Sequence, residues 1–434
     1  MKKILRSWCI AILQWQAKQV LKKYKPKIIA VTGSVGKTST KDAIYSVLAT
    51  RLHVRKSEKS FNNDIGIPLT ILGLPTGWRD ITIWIQNVIK GFGLLLFRTQ
   101  YPEWLILEVG ARTPGGIPNT VTWLKPDIVV ITKIGTVPVH IEFFPTLQDL
   151  VLEKKALSDA LKPEGILLVN ADDPTTSAIM PTGNQKRYTY GISTLADMKI
   201  GSPDILYVGD ENQIPTGIQA MYTIANEEHM LSVYNTVGAH ALDNALAACA
   251  VGSLVHIPAD TCVQSFLKHD APPGRMKLID GIKDTLLIDD TYNASPIATV
   301  SALETLQMIR NKGRKCAMLG DMLELGVQSH TAHEDIGKLV HDLGFDFLVT
   351  VGVRAKTIGE SACHSGFSSD RWQHCDTAER AGDFIDDWIE SGDVILLKAS
   401  QGIRLERAVE RLMKNPQDAE KLLARQDSAW KETK

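Results

Sequence analysis

The chain is expected to be α/β, with a doubly wound, mostly parallel central domain followed by a second, Rossmann-like α/β domain. Three observations predict this. "IAVTGSVGKTS", residues 29–39, is an apolar strand running into a glycine-rich loop and then a helix, the context of a phosphate-binding P-loop. Short apolar runs alternate with helix-like segments through the rest of the chain, as in βαβ units around a parallel sheet. The 434 residues, 44 % hydrophobic and 22 % charged, are enough for at least two cores of ordinary globular composition.

Residues 1–27 hold eight Lys/Arg and no Asp/Glu. Ile4, Leu5, Trp8, Ile12 and Trp15 stand near helical spacing, and Val20 and Leu21 continue the pattern less regularly. Two readings fit: a basic amphipathic helix on an anionic membrane, or a helix packed on the first domain with its lysines in water. Gln14 and Gln16 break the apolar run and no small-residue cleavage site follows, which argues against a signal peptide.

The central domain is expected over 28–271. Strand 28–33 leads through the loop to a helix from Thr40 to Leu48. "ITIWIQNVIKGFGLLLF", 81–97, has the single charge Lys90, sits at the lower length limit for a membrane span, and contains Gly91 and Gly93, which weaken a helix. It reads as a buried or interfacial helix. Further strands are expected at 104–110, 127–135 and 165–173, with a helix from Leu147 to Leu161. Short strands and turn residues over 184–235 predict an antiparallel edge. Pro272-Pro273-Gly274 marks the boundary to a C-terminal domain over 272–434, with strands at 285–290, 315–321, 346–352 and 393–400. Arg411 to Lys434 reads as a charged helical tail broken at Pro416.

The net charge of −1 argues against a nucleic-acid binder working by bulk electrostatics. The six cysteines form no C-x-x-C pair, so neither a zinc site nor a disulfide framework is expected, and a reducing cytoplasm fits. The loop itself points to a nucleotide. Gly33 and Gly36 let the amides of Gly33, Ser34, Val35, Gly36 and Ser39 approach phosphate oxygens. Lys37 supplies a cation, the Thr38 hydroxyl suits Mg²⁺, and the helix start adds its positive dipole end. Val31 stands where the full Walker pattern has glycine.

In order, "TGSVGKTS" (32–39), "FNNDIGIPLTIL" (61–72), "EVGA" (108–111), "HIEFF" (140–144), "GAHALDNALAACA" (238–250), "GRM" (274–276), "IDDTYNASP" (288–296) and "LGDMLELG" (319–326) resemble the Mur ligases, ATP-dependent amide-forming enzymes of peptidoglycan synthesis. The resemblance spans roughly 28–410, and within the family it is greatest to the member that adds D-alanyl-D-alanine to UDP-N-acetylmuramoyl-tripeptide.

The resemblance implies that ATP activates a carboxylate as an acyl phosphate, which an amine then attacks. It implies that Lys37 serves ATP, that Thr38 and Glu108 hold one Mg²⁺, and that His140 ligates a second. Lys154 or Lys155 matches a lysine that the family carbamylates into a further metal ligand. Lys154 is the preferred match, and a solvated lysine pair is the alternative. His240 and Asn244 would approach the nucleotide. Arg275, Asp290 and Tyr292 would close over it, Asn62 and Asn63 would meet substrate, and Lys398 and Ser400 would handle the incoming amine.

Lys133, Ala241, Ser295, Ala399 and Gln401 depart from the family pattern. Gln401 replaces an arginine whose fork suits a carboxylate, which leaves the amine donor open. Only 28 residues precede Ile29, fewer than the roughly 40 a stable domain needs. The family's N-terminal UDP-sugar domain is therefore not expected here, whereas 73–104 looks like an insertion. The expected partners are a small-molecule or lipid-linked acyl acceptor and an amino acid or dipeptide, with no nucleic acid. A monomer in the cytoplasm is expected, with peripheral contact at the inner membrane surface. The alternatives are a Mur-like ligase for another acid, including a poly-amino-acid or cofactor precursor, and a nucleotide-binding relative without catalysis.

Overall fold

Two sheets organise the computed structural model, which describes residues 2–58, 61–77, 80–192, 195–209, 214–224, 227–426 and 430. The first contains β1 (Lys27–Thr32), β2 (Val54–Lys56), β3 (Trp104–Glu108), β4 (Ile128–Ile131), β5 (Ile166–Asn170), β6 (Lys186–Gly191), β7 (Met198–Ile200), β8 (Asp204–Val208), β9 (Ile214–Ile224) and β10 (Glu227–Tyr234). Its order is β10-β9-β7-β6-β5-β4-β1-β3-β2, with β8 also paired to β9. The second contains β11 (Lys277–Asp280), β12 (Leu286–Asp290), β13 (Lys315–Gly320), β14 (Phe347–Val351), β15 (Trp372–Cys375) and β16 (Val394–Lys398), in the order β11-β12-β16-β13-β14-β15. Only its β11–β12 pair is antiparallel.

Alternating residues explain why the strands read as unbroken apolar runs. Ile29 and Val31 of β1 pack with Ile44 and Val47 of α2 (Lys37–Leu48) on one face. Ile28 and Ala30 enter the opposite core with Ile67 and Ile71 of α3 (Gly66–Leu72). Both faces are covered, as a parallel sheet requires. The antiparallel edge expected over 184–235 begins later than predicted: β6 and β7 still run parallel to their inner neighbours, and the reversal comes at β7–β9. The connections before β6 and β7 carry the chain back to the same end of the sheet, which a turn-rich sequence does not reveal.

The N-terminal segment forms α1 (Lys2–Tyr24), which buries Cys9, Leu13, Ala17 and Val20 in the first domain's core. Residues 81–96 form α4 (Ile81–Leu96), laid against it. Gln16 of α1 donates to Val88 O at 2.9 Å, and Lys23 caps the C-terminal end of α4 through Leu94, Leu95 and Phe97 carbonyls at 2.7–2.9 Å. The helix runs through both of its glycines. Gly91 permits the close crossing, because a Cβ there would lie 2.1 Å from Gln16 Oε1. Among the described residues no helix is long and apolar enough to cross a membrane.

The expected C-terminal helical tail is instead a series of short pieces: Glu406–Leu412, a 3-10 turn at Pro416–Asp418 and Ala419–Leu422. Pro416 and the extended backbone at Met413 break it. Residues 427–429 and 431–434 lie outside the described residues.

Candidate active site

The C-terminal ends of β1, β3 and β4 meet at one crevice, where open α/β sheets bind ligands. At the end of β1, Gly33 has φ +139°, and a Cβ there would stand 2.0 Å from Thr132 Oγ1. Gly36 has φ +87° and caps α2. Its missing side chain makes room for Asn244, whose Oδ1 accepts from Thr40 Oγ1 at 2.8 Å. Asn244, expected to approach the nucleotide, packs against the phosphate loop. Lys37 folds back so that Nζ donates to Gly33 O at 2.9 Å and Ser34 O at 3.2 Å. Two loop amides expected at phosphate have a protein partner here: Ser34 N and Val35 N donate to Lys133 O at 2.9 and 3.0 Å. The first helical hydrogen bond comes from Thr40 N to Gly36 O, so the helix start from Lys37 to Ser39 is the anion-facing end.

Glu108 ends β3 and is 1 % exposed. Its Oε2 accepts from Thr38 Oγ1 at 2.9 Å, and its Oε1 accepts from Asn62 Nδ2 at 2.9 Å. Asn62, expected at the substrate, thus orients the carboxylate. Asn63 lines the cavity but also caps α3, accepting from Gly66 N at 2.9 Å and Ile65 N at 3.2 Å. Among the described residues no three His, Cys, Asp or Glu side chains cluster as a metal cage. One buried carboxylate beside one hydroxyl instead fits Mg²⁺, which typically takes few protein ligands and completes its shell with water and phosphate oxygens.

Lys154 is the inward lysine of its helix, 5 % exposed, with Nζ donating to Gly33 O at 2.9 Å. Burial, then the charge of Lys37, pushes its amine well below the usual lysine range. Lys155 faces outward and pairs with Asp159. His140 has φ +74° and its Nδ1 pairs with Glu324 of the C-terminal domain. Glu324 also accepts from Arg112 Nη2 at 2.7 Å. Burial and then Lys37 lower the His140 pKa, while Glu324 opposes them. This Arg112–Glu324–His140 bridge escaped the sequence reading, although Glu324 lies inside the quoted "LGDMLELG".

The C-terminal domain supplies the opposite wall. Gly274 at φ +71° brings its carbonyl to Tyr292 N at 3.2 Å, and the Arg275 guanidinium lies 4.2 Å from the Tyr292 ring centroid. Asp290, expected at ribose hydroxyls, is bound internally: Lys398 Nζ donates to it at 2.5 Å, and Met276 N at 3.3 Å. Lys398 and Ser400, expected at the amine, are 2 % exposed each. Lys398 also donates to Asn293 O at 3.1 Å, and Ser400 Oγ accepts from Leu323 N at 2.9 Å. Both tie the end of β16 to neighbouring loops rather than opening to the cavity. His240 sits at the seam between the domains, its pKa lowered by burial and partly restored by Asp290. Beside Asp290, burial raises the Asp289 carboxyl to about 6.

A cavity of about 1260 Å³ lies between these walls, lined among others by Thr38, Asn63, Trp84, Arg275, Tyr292 and Gln401. Arg425 and Trp430 of the tail also line it, which no periodic signal announced. Arg425 donates to Glu406 Oε2 at 2.9 Å and Thr291 O at 3.2 Å, and to Tyr292 O, holding the Tyr292 loop.

Residues 31–85 and 87–252 match the Mur ligase middle domain, and residues 274–401 match the Mur ligase glutamate ligase domain. The UDP-N-acetylmuramoyl-tripeptide--D-alanyl-D-alanine ligase of Bacillus subtilis is 30 % identical over 94 % of this chain and 80 % of its own length. That of Escherichia coli is 26 % identical over 77 % of this chain and 67 % of its own. Among solved structures, MurF from Acinetobacter baumannii shares the fold with TM-score 0.76 at 23 % identity, covering 94 % of this chain and 81 % of that one. The ADP complex of MurF ligase from Thermotoga maritima gives 0.74 at 25 % identity, covering 93 % and 83 %. A P-loop facing a buried carboxylate, an arginine across an interdomain cavity and these alignments along nearly the whole chain lead to one conclusion: the chain belongs to the Mur ligase family.

Proposed function

We propose that the chain is an ATP- and Mg²⁺-dependent ligase in peptidoglycan precursor synthesis, joining a carboxylate to an amine through an acyl phosphate. The observation that carries this reading is the convergence of Lys37, Thr38, Glu108 and Lys154 on one phosphate loop, with Arg275 facing them. The substrate carboxylate oxygen takes the γ-phosphoryl group and ADP leaves. The amine nitrogen then forms a bond to the acyl carbon and gives up one proton, and phosphate leaves with the C–O bond electrons and takes up that proton. Lys37 and Arg275 offset the charge crowded at the phosphoryl group. Thr38 and Glu108, steadied by Asn62, would hold Mg²⁺, with His140 and carbamylated Lys154 as ligands of a second ion. Mg²⁺ supplies charge neutralisation and orientation of phosphate oxygens. Closure of the two domains would bring Arg275 and Tyr292 onto the nucleotide.

The relatives are named for UDP-N-acetylmuramoyl-tripeptide and D-alanyl-D-alanine. The reading here is a small-molecule peptidyl acid and an amino acid or dipeptide, handled by a monomer with a helix over 1–27, a central domain over 28–271 and a C-terminal domain over 272–434. A lipid-linked acid at the inner membrane surface is the finer alternative. It draws on the apolar faces of α1 and α4 and predicts faster turnover of vesicle-borne than of free acid. Phosphate release measured with UDP-muramyl peptides and a panel of amines tests the reaction. Amine-dependent release is the expected result, and nucleotide binding with no such release under any pairing would leave a binding protein instead.

Glu324 holds His140 through Nδ1, which leaves Nε2 as the nitrogen that would face a metal, with the carboxylate fixing the ring's orientation and tautomer. Glu324→Gln weakens that support and is expected to raise the Mg²⁺ concentration for half-maximal activity roughly tenfold, with kcat largely recovered at saturating Mg²⁺. Mg²⁺ titrations of both proteins check this; a lowered Mg²⁺ requirement would make Glu324 a competitor for His140 rather than its support.

A further inference from the structure

The helices α1 and α4 leave an apolar ridge that the ligase reading does not use. Trp84, Asn87 and Gly91 turn inward on α4. Ile85, Ile89, Phe92 and Leu96, at spacings of four, three and four residues, form the opposite stripe and are 41–76 % exposed. Trp8 and Trp15 of α1, seven residues apart, are 66 % and 48 % exposed. The Trp15 and Phe92 rings approach to 6.2 Å between centroids, which joins the two stripes into one surface. Contiguous apolar patches of this kind mark interaction sites rather than ordinary surface.

We infer that this ridge docks the protein onto an anionic lipid surface. Charge selects this occupant. Residues 1–27 carry eight Lys/Arg and no Asp/Glu, in a chain whose net charge is −1. Lys22, Lys25, Lys27, Lys90 and Arg98 are exposed on or beside these helices. Tryptophans beside an apolar stripe, rimmed by cations, are the chemistry of a helix lying in the headgroup region. No described helix is long and apolar enough to span, so the protein lies on the bilayer. Trp84, next to Ile85, lines the interdomain cavity, so α4 touches both the cavity and the lipid-facing surface. The inference concerns location and stands independently of which acid and amine the ligase joins.

The test is flotation of the full chain with vesicles of phosphatidylglycerol and phosphatidylcholine, against vesicles of phosphatidylcholine alone. Binding is expected only with the anionic lipid, and weakened by salt. The variant Ile89→Glu/Leu96→Glu is expected to lose roughly hundred- to ten-thousandfold in affinity, the worth of withdrawing two large apolar side chains. Neither residue touches the cavity, so ADP binding and amine-dependent turnover of soluble substrates should persist. Tryptophan quenching by brominated lipid, lost in Trp8→Phe/Trp15→Phe, is expected to locate the contact independently. No binding to anionic vesicles, equal binding by the double variant, or a concentration-dependent dimer that the double variant dissolves would each overturn the inference. The last outcome would assign the ridge to a second copy. Loss of turnover with lipid binding intact would instead strike the ligase reading.

Discussion

Lys154→Ala is expected to lower amide formation by ~10²–10³-fold, the scale of losing one preorganised electrostatic group, while ADP binding stays near that of the unaltered protein. A lysine buried against a loop carbonyl with Lys37 nearby holds its charge poorly. Its amine is therefore available in the neutral form at pH values where an ordinary lysine is protonated. A neutral amine can add CO₂, releasing one proton and giving a carbamate. That anion would reverse the local charge beside Lys37 and furnish an oxygen ligand where the cavity has few. The sign of the pH dependence follows. The folded pKa is lowered, so carbamate and activity should hold through neutral pH and fall as acid protonates the amine. Activity in CO₂-depleted buffer should recover on adding bicarbonate. Isotopically labelled bicarbonate should give a carbamate NMR signal in the parent and in Lys155→Ala, and none in Lys154→Ala. An active Lys154→Ala with no carbamate signal in the parent would reduce Lys154 to a cap on Gly33 O.

The parallel strands were legible because both faces of each sheet are covered, so β1, β3, β4, β5, β12, β13, β14 and β16 appear as dense apolar runs within a few residues of their observed ends. The phosphate loop was legible for a related reason: its glycines are forced by contacts, Gly33 by Thr132 and Gly36 by Asn244. Short edge strands such as β2 and β15 carry too few residues to show a period. Side-chain partnership was the harder layer. Asn62, Asp290, Lys398 and Ser400 stand in recognisable stretches, yet each polar group is satisfied by another protein group. A buried polar atom is stabilised by whichever partner the packing brings near, and that partner comes from distant sequence: Lys398 meets Asp290 across 108 positions, and Glu324 meets His140 across 184. The exposed ridge of α1 and α4 was half visible. Composition gave the basic segment, but only packing separates the buried face of α4 from the one left in solvent.

Glu108 and Asn62 offer a way to separate holding a metal from holding the holder. Glu108→Gln preserves size, and its carbonyl oxygen can still accept one of the two hydrogen bonds now made by Thr38 and Asn62. It removes the buried negative charge, so loss of Mg²⁺-dependent activity by ~10²–10³-fold is expected, on the scale of a lost transition-state electrostatic contact. The fold should survive, because the two hydrogen bonds to Glu108 come from the neutral groups of Thr38 and Asn62, a neutral amide removes the cost of burying a charge, and Lys37, whose charge Glu108 supports, keeps its bonds to Gly33 O and Ser34 O. Asn62→Ala leaves Glu108 charged but frees one oxygen of its orienting donor. Such supporting partners are worth about 10–100-fold in metal affinity or activity, so the expected signature is a raised Mg²⁺ requirement with kcat largely recovered at saturation. Mg²⁺ titrations at fixed ATP distinguish the two. If both variants fell equally in kcat and neither responded to Mg²⁺, the Thr38–Glu108–Asn62 set would be acting through the geometry of the loop rather than through a bound ion. If Asn62→Ala alone were silent, Glu108 would be fixed sufficiently by its place at the end of β3 and by Thr38. That ordering matters because Asn62 anchors Gly110 N through its own carbonyl at 2.9 Å, so the same residue sets both the carboxylate and the turn that follows it.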